Sequence, residues 1–377
     1  MRILTIIYEF PPIGGGGGKA AYDICMGLVA RGHQVTVLTA HMPGLPLDEF
    51  KDGLRVVRIP SLRREKFGAS FSTMLAYVLA GLWAGIRLIR SDQPDILHTH
   101  FAVPSGALAW ILSVLTGTPY ILTAHLGDVP GGVPEKTGKW FRWVKPFTHP
   151  IWRRARKVIA VSEHTRQLAL EHYPVEVRVI HNGADILQLA PAEIRVNQPP
   201  RLVFAGRFVS QKNPLVIIQT LAQLKDLDWH CDLLGDGLLL EEVREEIEKA
   251  GMTGRFSLHG WVTPETVLAQ FAQSDILFMP SLSEGLPVVG VHALASGMAL
   301  MVSDIGGFLD LVDHEKNGYL FHPHDILAFA SALRGLISDP ETLLRFRKAS
   351  LDKSRQFDIQ KIVEQYQTVL LEALNGK

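Results

Sequence analysis

Short apolar runs alternate with helix-length stretches along nearly the whole chain, and midway the alternation begins again. "RILTII" is followed by a helical pattern ending at "ARGH", then by "QVTVLT". "DILHTH", "PYILTAH" and "KVIAVS" come next, separated by further helical patterns. Strands that alternate with helices build a parallel sheet covered on both faces, so a doubly wound α/β fold is expected. The stretch Ile186–Pro200, rich in proline and without periodicity, reads as a linker. After it come "RLVFAGR", "WHCDLLGDG", "FSLHG", "ILFMP" and "MALMVSD", again with helices between them. The expected organisation is a first domain over 1–190, a second over 200–355, and a terminal helical segment over 356–377. In open parallel sheets ligands bind beyond the carboxyl ends of the strands, so a crevice between two such domains is the expected site.

Composition supports two packed domains. The 377 residues are 47% hydrophobic and 20% charged, which excludes a disordered chain. The net charge of zero hides an asymmetry: residues 1–195 hold 22 Lys+Arg against 15 Asp+Glu, and the remainder holds 16 against 23. A basic half suits a membrane surface, a nucleic acid or a phosphorylated substrate. Cys25 and Cys231 sit in apolar runs and read as buried free thiols of a reducing compartment. The opening "MRILTIIYEFPP" is too short in its apolar core for a signal peptide and reads as a first strand. The run Met74–Arg90 is apolar for 13 residues before Arg87, too short to span a bilayer, and reads as a core helix or else a surface-lying one. The segment Lys136–Lys157 mixes basic residues with three tryptophans, which suits a lipid headgroup surface; the bland alternative is a helix with aromatics inward and cations solvated.

Candidate chemistry collects at strand ends. Gly14–Gly18 open a helix after the first strand, where bare backbone amides can approach an anion. Ala20 after Lys19 excludes a Walker loop, and a flexible hinge is the bland alternative. Arg207 and Lys212 follow "RLVFA" and are spaced to clamp a diphosphate, or are solvated surface charges. His98 and His100 share one strand face, and His125 ends another strand ahead of Gly127 and Asp128; no third ligand at good spacing favours a metal. Glu284 precedes a helix opened by Pro287, with the amides of Leu286, Val288 and Val289 beside it. A carboxylate there can accept two vicinal hydroxyls, as sugar recognition requires.

The order and spacing of these pieces resemble glycosyltransferase family 4. The resemblance runs from "FPPIGGGGGKAAYDICMGLVARGHQVTVLT" through "VIAVSEHTRQLAL", "VRVIHNGAD" and "VFAGRFVSQKNP" to "PSLSEGLPVVGVHALASGMALMVSDIGG". It implies the GT-B fold, two Rossmann-like domains facing across a cleft, and a retaining, metal-independent transferase without a cofactor. The donor implied is a nucleotide-diphosphate sugar, UDP first and GDP second. The acceptor implied is a glycan, a lipid-linked or a small molecule, with peripheral membrane association at the inner face, a cytoplasmic location and no nucleic-acid partner. By resemblance His125, Glu284, Arg207 and Lys212 are catalytic. Gly15, Gly16, Gly285, Leu286, Pro287, Val288 and His292 join Arg207, Lys212 and Glu284 at the donor, and Gly17, Gly18, Lys19 and His100 lie on the acceptor side. Asn182 and Gly183 match the turn that closes the first domain, and the helix from about Phe357 matches one that crosses back to it.

Two departures stand out. Gly18 occupies a position that is usually Glu in the family, which implies a more mobile loop. His292 occupies that of the second Glu in E-x7-E, the residue that holds the ribose in relatives. An imidazole can accept one hydrogen bond and donate one, but grips a diol less well than a carboxylate. A catalytically silent sugar-nucleotide binder is therefore the alternative function. A nucleotide-dependent oxidoreductase lacks its expected acid, since "QVTVLTAH" ends without one.

Overall fold

Strands β5 (Ile96–His100) and β6 (Tyr120–Ala124) are buried at every position, as central strands of a sheet covered on both faces must be. The computed structural model describes residues 1–65, 70–134 and 141–376, apart from the side chains of 141–143. Two units result: 1–183 with 359–377, and 184–358.

The first unit holds an eight-stranded sheet in the order β3-β4-β2-β1-β5-β6-β7-β8. Its other strands are β1 (Arg2–Ile6), β2 (Gln34–Ala40), β3 (Asp48–Lys51), β4 (Leu54–Ile59), β7 (Lys157–Ala160) and β8 (Val177–Val179). Among the described residues only β3 runs antiparallel, as an edge hairpin with β4 that sequence reading passes over. The helices are α1 (Gly16–Ala30), α2 (Phe71–Asp92), α3 (Ala107–Thr116), α4 (Phe141–Arg154), α5 (Glu163–His172) and the terminal α14 (Ile359–Leu374). Helix α14 buries Ile362, Val363, Tyr366, Val369, Leu370 and Ala373, a stripe at three- and four-residue spacing. It packs so closely on α1 that a Cβ on Gly27 would lie 2.3 Å from Val363. At roughly 1.5–3 kcal/mol per fully buried large apolar side chain, this stripe firmly ties the chain's end to the first unit.

The second unit's six-stranded sheet runs β11-β10-β9-β12-β13-β14, all parallel. Its strands are β9 (Arg201–Ala205), β10 (His230–Leu234), β11 (Phe256–Gly260), β12 (Ile276–Met279), β13 (Ala299–Ser303) and β14 (Gly318–Phe321). Its helices are α6 (Ile186–Leu189), α7 (Pro214–Leu221), α8 (Leu240–Lys249), α9 (Pro264–Phe271), α10 (Val288–Ala295), α11 (Phe308–Leu311), α12 (Ile326–Ser338) and α13 (Pro340–Ser354). In both sheets the strand order reverses beside the first strand, between β1 and β5 and between β9 and β12. That reversal opens a crevice at the strands' carboxyl ends.

Two expectations are corrected here. The stretch read as a linker is part of the second unit. It contains α6, Asn197 Nδ2 donates to Asp275 at 2.9 Å, and Arg347 donates to the Arg195 carbonyl at 2.5 Å. Arg347 also pairs with Asp275, so one buried ion pair anchors the stretch. The Met74–Arg90 run is only half a core helix. Within α2, Tyr77, Gly81, Gly85, Leu88 and Ile89 are buried, while Phe71, Leu75, Leu79 and Trp83 face outward. Cys25 and Cys231 are buried free thiols, one in each unit.

Candidate active site

In the first unit the residues after β1, β5 and β6 converge. Gly16–Gly18 form the opening turn of α1, with Gly15 as its cap. A Cβ on Gly17 would lie 2.6 Å from the Phe101 ring and 3.4 Å from His125 Cε1, so only glycine fits against that pair. Phe101 stacks on His125 with centroids 4.1 Å apart, and His125 lies 5.8 Å from His100. His100 in turn is 4.3 Å from His98, as two residues on one strand face should be. His98 bonds Thr123 at 2.9 Å. Both nitrogens of His100 and Nε2 of His125 are buried without a hydrogen-bond partner among the described residues. Buried polar atoms left this way mark places where a ligand can bond.

Asp128, which the residue pattern left without a role, holds this corner together. Its carboxylate accepts the His125 amide at 2.8 Å and the Ala102 amide at 2.7 Å, clamping the β6 loop to the β5 loop. The Gly127-Asp128 pair after "TAH" was the available signal.

Gly18 and Lys19 differ from expectation. Gly18 is not in a loop: it is buried in the first turn of α1, where a Cβ would meet the Glu9 carbonyl at 2.7 Å. The glycine that replaces a family acid therefore serves close packing and does not line an open acceptor side. Lys19 bonds Asp23 one turn along the same helix, at 2.5 Å.

The histidines are kept neutral. Burial drives His98 down to about 3 and His125 to about 4, and His100 well below the ordinary imidazole range, with neighbouring imidazoles adding to the effect on His98 and His100. Burial raises Asp128 to about 7 against its amide donors. An imidazole lowered in the fold contributes stability that is present above its unfolded pKa of about 6.5 and lost as pH falls through its folded one. The raised carboxyl works in the opposite sense, its contribution lost as pH rises through about 7. Three imidazoles against one carboxyl leave about 2–3 kcal/mol lost per pH unit below 6.5. Urea unfolding is expected to show clearly lower stability at pH 5.5 than at pH 6.5. Equal midpoints would contradict the buried neutral cluster.

In the second unit the loops after β9 and β12 meet. Lys212 Nζ bonds the Glu284 carboxylate, and both side chains are largely buried. Around them Gln211 donates to the Ser283 carbonyl at 2.9 Å, and the Leu282 amide returns a bond to the Gln211 carbonyl at 2.8 Å. Arg207 lies on the same β9 loop, half-buried, with no ion pair to it among the described residues. Next to it, the position of a Cβ on Gly206 is 3.8 Å from the Lys212 stem.

The Glu284 turn rests on a support that residue-by-residue reading missed. Gly307 donates its amide to the Glu284 carbonyl at 3.0 Å. A Cβ on Gly306 would lie 2.1 Å from that carbonyl, and one on Gly307 would lie 1.8 Å from the Gly285 carbonyl. The "IGG" after β13 was the signal for this close approach.

Helix α10 then begins after Pro287, so the Val288 and Val289 amides have no acceptor within the helix and carry its positive end. Leu286, Pro287 and Val288 are buried; Gly285, Val289 and His292 are the partly open positions on this side. His292 therefore shares the open face of α10 with Val289 and is not in the core. His292→Ala is expected to raise donor KM several-fold with kcat within about threefold, because a contact made equally in ground and transition states changes binding alone. An unchanged KM with a lower melting temperature would assign His292 a structural role instead.

Residues 14–187 match the family described as "Glycosyltransferase Family 4", and residues 188–353 match "Glycosyl transferases group 1". The chain belongs to glycosyltransferase family 4. This family-4 chain is 27% identical to a glycogen synthase of Mycobacterium tuberculosis over all of its own length and 96% of that protein's. Its fold is that of a Thermosynechococcus elongatus sucrose-phosphate synthase, with a TM-score of 0.88 at 19% identity and full coverage of both chains. It also matches an Anabaena protein solved with UDP-glucose, with a TM-score of 0.76 at 17% identity over 99% of this chain and all of that one. These structural likenesses fix the fold as GT-B, and the family makes the chain a glycosyltransferase. The expected Arg207, Lys212, Glu284 and His292 all fall in the second unit of this transferase, and Gly15–Gly17, His100 and His125 in the first. Of the membrane-facing reading of Lys136–Lys157, Trp140 and the Trp143 side chain lie outside the described residues. Trp152 is a core residue, stacked on Tyr173 at 4.2 Å, which corrects that part of the reading.

Proposed function

We propose that the chain transfers a hexosyl unit from a nucleotide-diphosphate sugar, UDP-linked ahead of GDP-linked, with retention of configuration and without a metal. The acceptor is a glycan, a lipid-linked molecule or a small molecule. The observation that carries this reading is the buried Lys212–Glu284 pair at the switch point of the second sheet. A cation and a carboxylate side by side suit the two ends of such a donor. Lys212, with Arg207 on the same loop, takes the diphosphate, and the α10 amides add a positive helix end. Glu284 accepts the sugar hydroxyls. Charge developing on the leaving diphosphate is then stabilised by fixed cations and amides. In the first unit, His125 offers a neutral ring whose Nε2 has no hydrogen-bond partner among the described residues, an acceptor or donor position for a ligand hydroxyl. The UDP-glucose bound in the Anabaena relative supports the choice of uridine donors first.

A thermal-shift panel of UDP-, GDP- and ADP-sugars tests the donor. A ligand that binds only the native state raises its melting temperature with concentration. A rise with UDP-sugars that is lost in Lys212→Ala supports the assignment. No shift with any nucleotide sugar overturns it.

A further inference from the structure

Helix α2 is unusual in what it exposes. Phe71, Leu75, Leu79 and Trp83 recur every four residues and are 73, 48, 63 and 69% exposed. The row runs about 18 Å along a helix whose opposite face is fully committed. There, Cβ positions on Gly81 and Gly85 would lie 2.5 and 2.6 Å from Leu108 and Leu112 of α3, and the Tyr77 hydroxyl donates to the Leu38 carbonyl. The helix therefore cannot leave the sheet to cross a bilayer, although it is long and apolar enough by composition.

The row does not stand alone. Arg87 lies over the Trp83 ring at 5.7 Å, and Arg90 is exposed one turn further on. On α3, which packs beside α2, Val114 and Leu115 are exposed. Arg154 of α4 bonds the Ser113 carbonyl and hydroxyl there, which places an exposed cation beside them. Phe147 and Arg153 of α4 are exposed as well. Through all of α3, all of α4 and α2 as far as Ser91 there is no Asp or Glu. Asp92 closes α2 and is paired with Arg55 at 3.1 Å.

We infer that the α2–α3–α4 face of the first unit docks on the surface of an anionic lipid bilayer, with α2 lying in the headgroup layer. Exposed Trp, Phe and Leu supply apolar burial, and Arg supplies attraction to anionic headgroups, the pairing that interfacial helices use. A second copy of the chain is a poor occupant. A two-fold contact sets a patch against itself, and this patch carries cations with no acids to meet them. The inference stands on α2, α3 and α4 and is independent of the donor assignment. It also moves the membrane contact from the tryptophans of Lys136–Lys157 to Trp83 and its neighbours.

The test is co-sedimentation of the full chain with vesicles of phosphatidylcholine, alone or with about one-third phosphatidylglycerol, at low and high salt. The wild type is expected to pellet with the anionic vesicles at low salt and to be released at high salt. Leu79→Glu with Trp83→Glu, and separately Arg87→Glu with Arg90→Glu, are each expected to weaken that binding at least about tenfold. Because these side chains are exposed, far-UV dichroism, melting temperature and turnover of a soluble donor should stay at wild-type levels. Those readouts keep a folding defect or a failed donor assignment distinct from a failed docking surface. Wild-type protein left in the supernatant with both vesicles overturns the inference, as do variants that bind like the wild type. A dimer that the Leu79→Glu/Trp83→Glu variant converts to monomer, without vesicle binding, assigns the face to a second copy instead.

Discussion

Lys212→Ala is expected to lower donor turnover about ten- to a hundredfold, and Glu284→Ala to do at least as much, because each removes a charged contact worth roughly 1.5–3 kcal/mol. Either change also strands the other charge in a largely buried place, at a cost to stability on the order of 3 kcal/mol. Lost activity alone therefore does not separate a ligand-binding pair from a structural one. The exchanged variant, Lys212→Glu with Glu284→Lys, does. It restores a buried opposite pair and should recover much of the melting temperature. It should remain inactive, because the carboxylate then faces the diphosphate and the ammonium faces the sugar. Recovery of turnover along with stability would show that the two residues only hold the β9 and β12 loops together. Arg207, which forms no such pair among the described residues, provides the contrast: Arg207→Ala should cost activity of the same order with little change in melting temperature.

Gly307→Ala is expected to destabilise the second unit by about 3 kcal/mol and to abolish activity. The clash is with backbone and not with a side chain that could swing away, since the new methyl would sit 1.8 Å from the Gly285 carbonyl. Relief requires the "EGLP" turn to move away from β13, which breaks the 3.0 Å bond from the Gly307 amide to the Glu284 carbonyl. Glu284 then no longer stands beside Lys212. Gly254→Ala is the control, because nothing lies within 4 Å of a Cβ there. Urea unfolding and donor turnover on both variants check the effect. A Gly307→Ala chain as stable and active as the control would show that the loops after β12 and β13 are not coupled.

The alternation of strand and helix in the sequence carried the fold because period and burial agree in a doubly wound sheet. "DILHTH" and "PYILTAH" are apolar enough to read as central strands, and they are central. The β3–β4 hairpin was not legible, since "DEFK" is mostly exposed and carries no apolar period. The linker was misread because Asn197 and the Arg195 backbone are fixed by Asp275 and Arg347, partners about 80 and 150 residues away that no local pattern reveals. The same limit applied at the site. Lys212 and Glu284 were each legible from their place at a strand end, but their direct contact depends on which strands adjoin, a matter of topology. Asp128 and the Gly306-Gly307 pair act through backbone amides and close approach. Neither leaves a periodic trace. Gly18 was misjudged for a related reason: a glycine in a glycine run reads as loop freedom, whereas here it is a packing requirement set by the Glu9 carbonyl. The outward row on α2 was hidden by composition, because an evenly apolar helix looks buried on every side until its neighbours are known.

Sugar transfer from a nucleotide donor by the chain's own charged groups leaves products that can be followed directly. Its most direct test follows one reaction by nuclear magnetic resonance: UDP-glucose and an oligosaccharide or lipid-linked acceptor with the full chain, in the presence of excess EDTA. Release of UDP is expected, matched by a new glycosidic linkage with the anomeric configuration of the donor, at a rate EDTA does not change and Lys212→Ala lowers. Inverted configuration, a requirement for added metal, or turnover undiminished in Lys212→Ala would overturn this assignment.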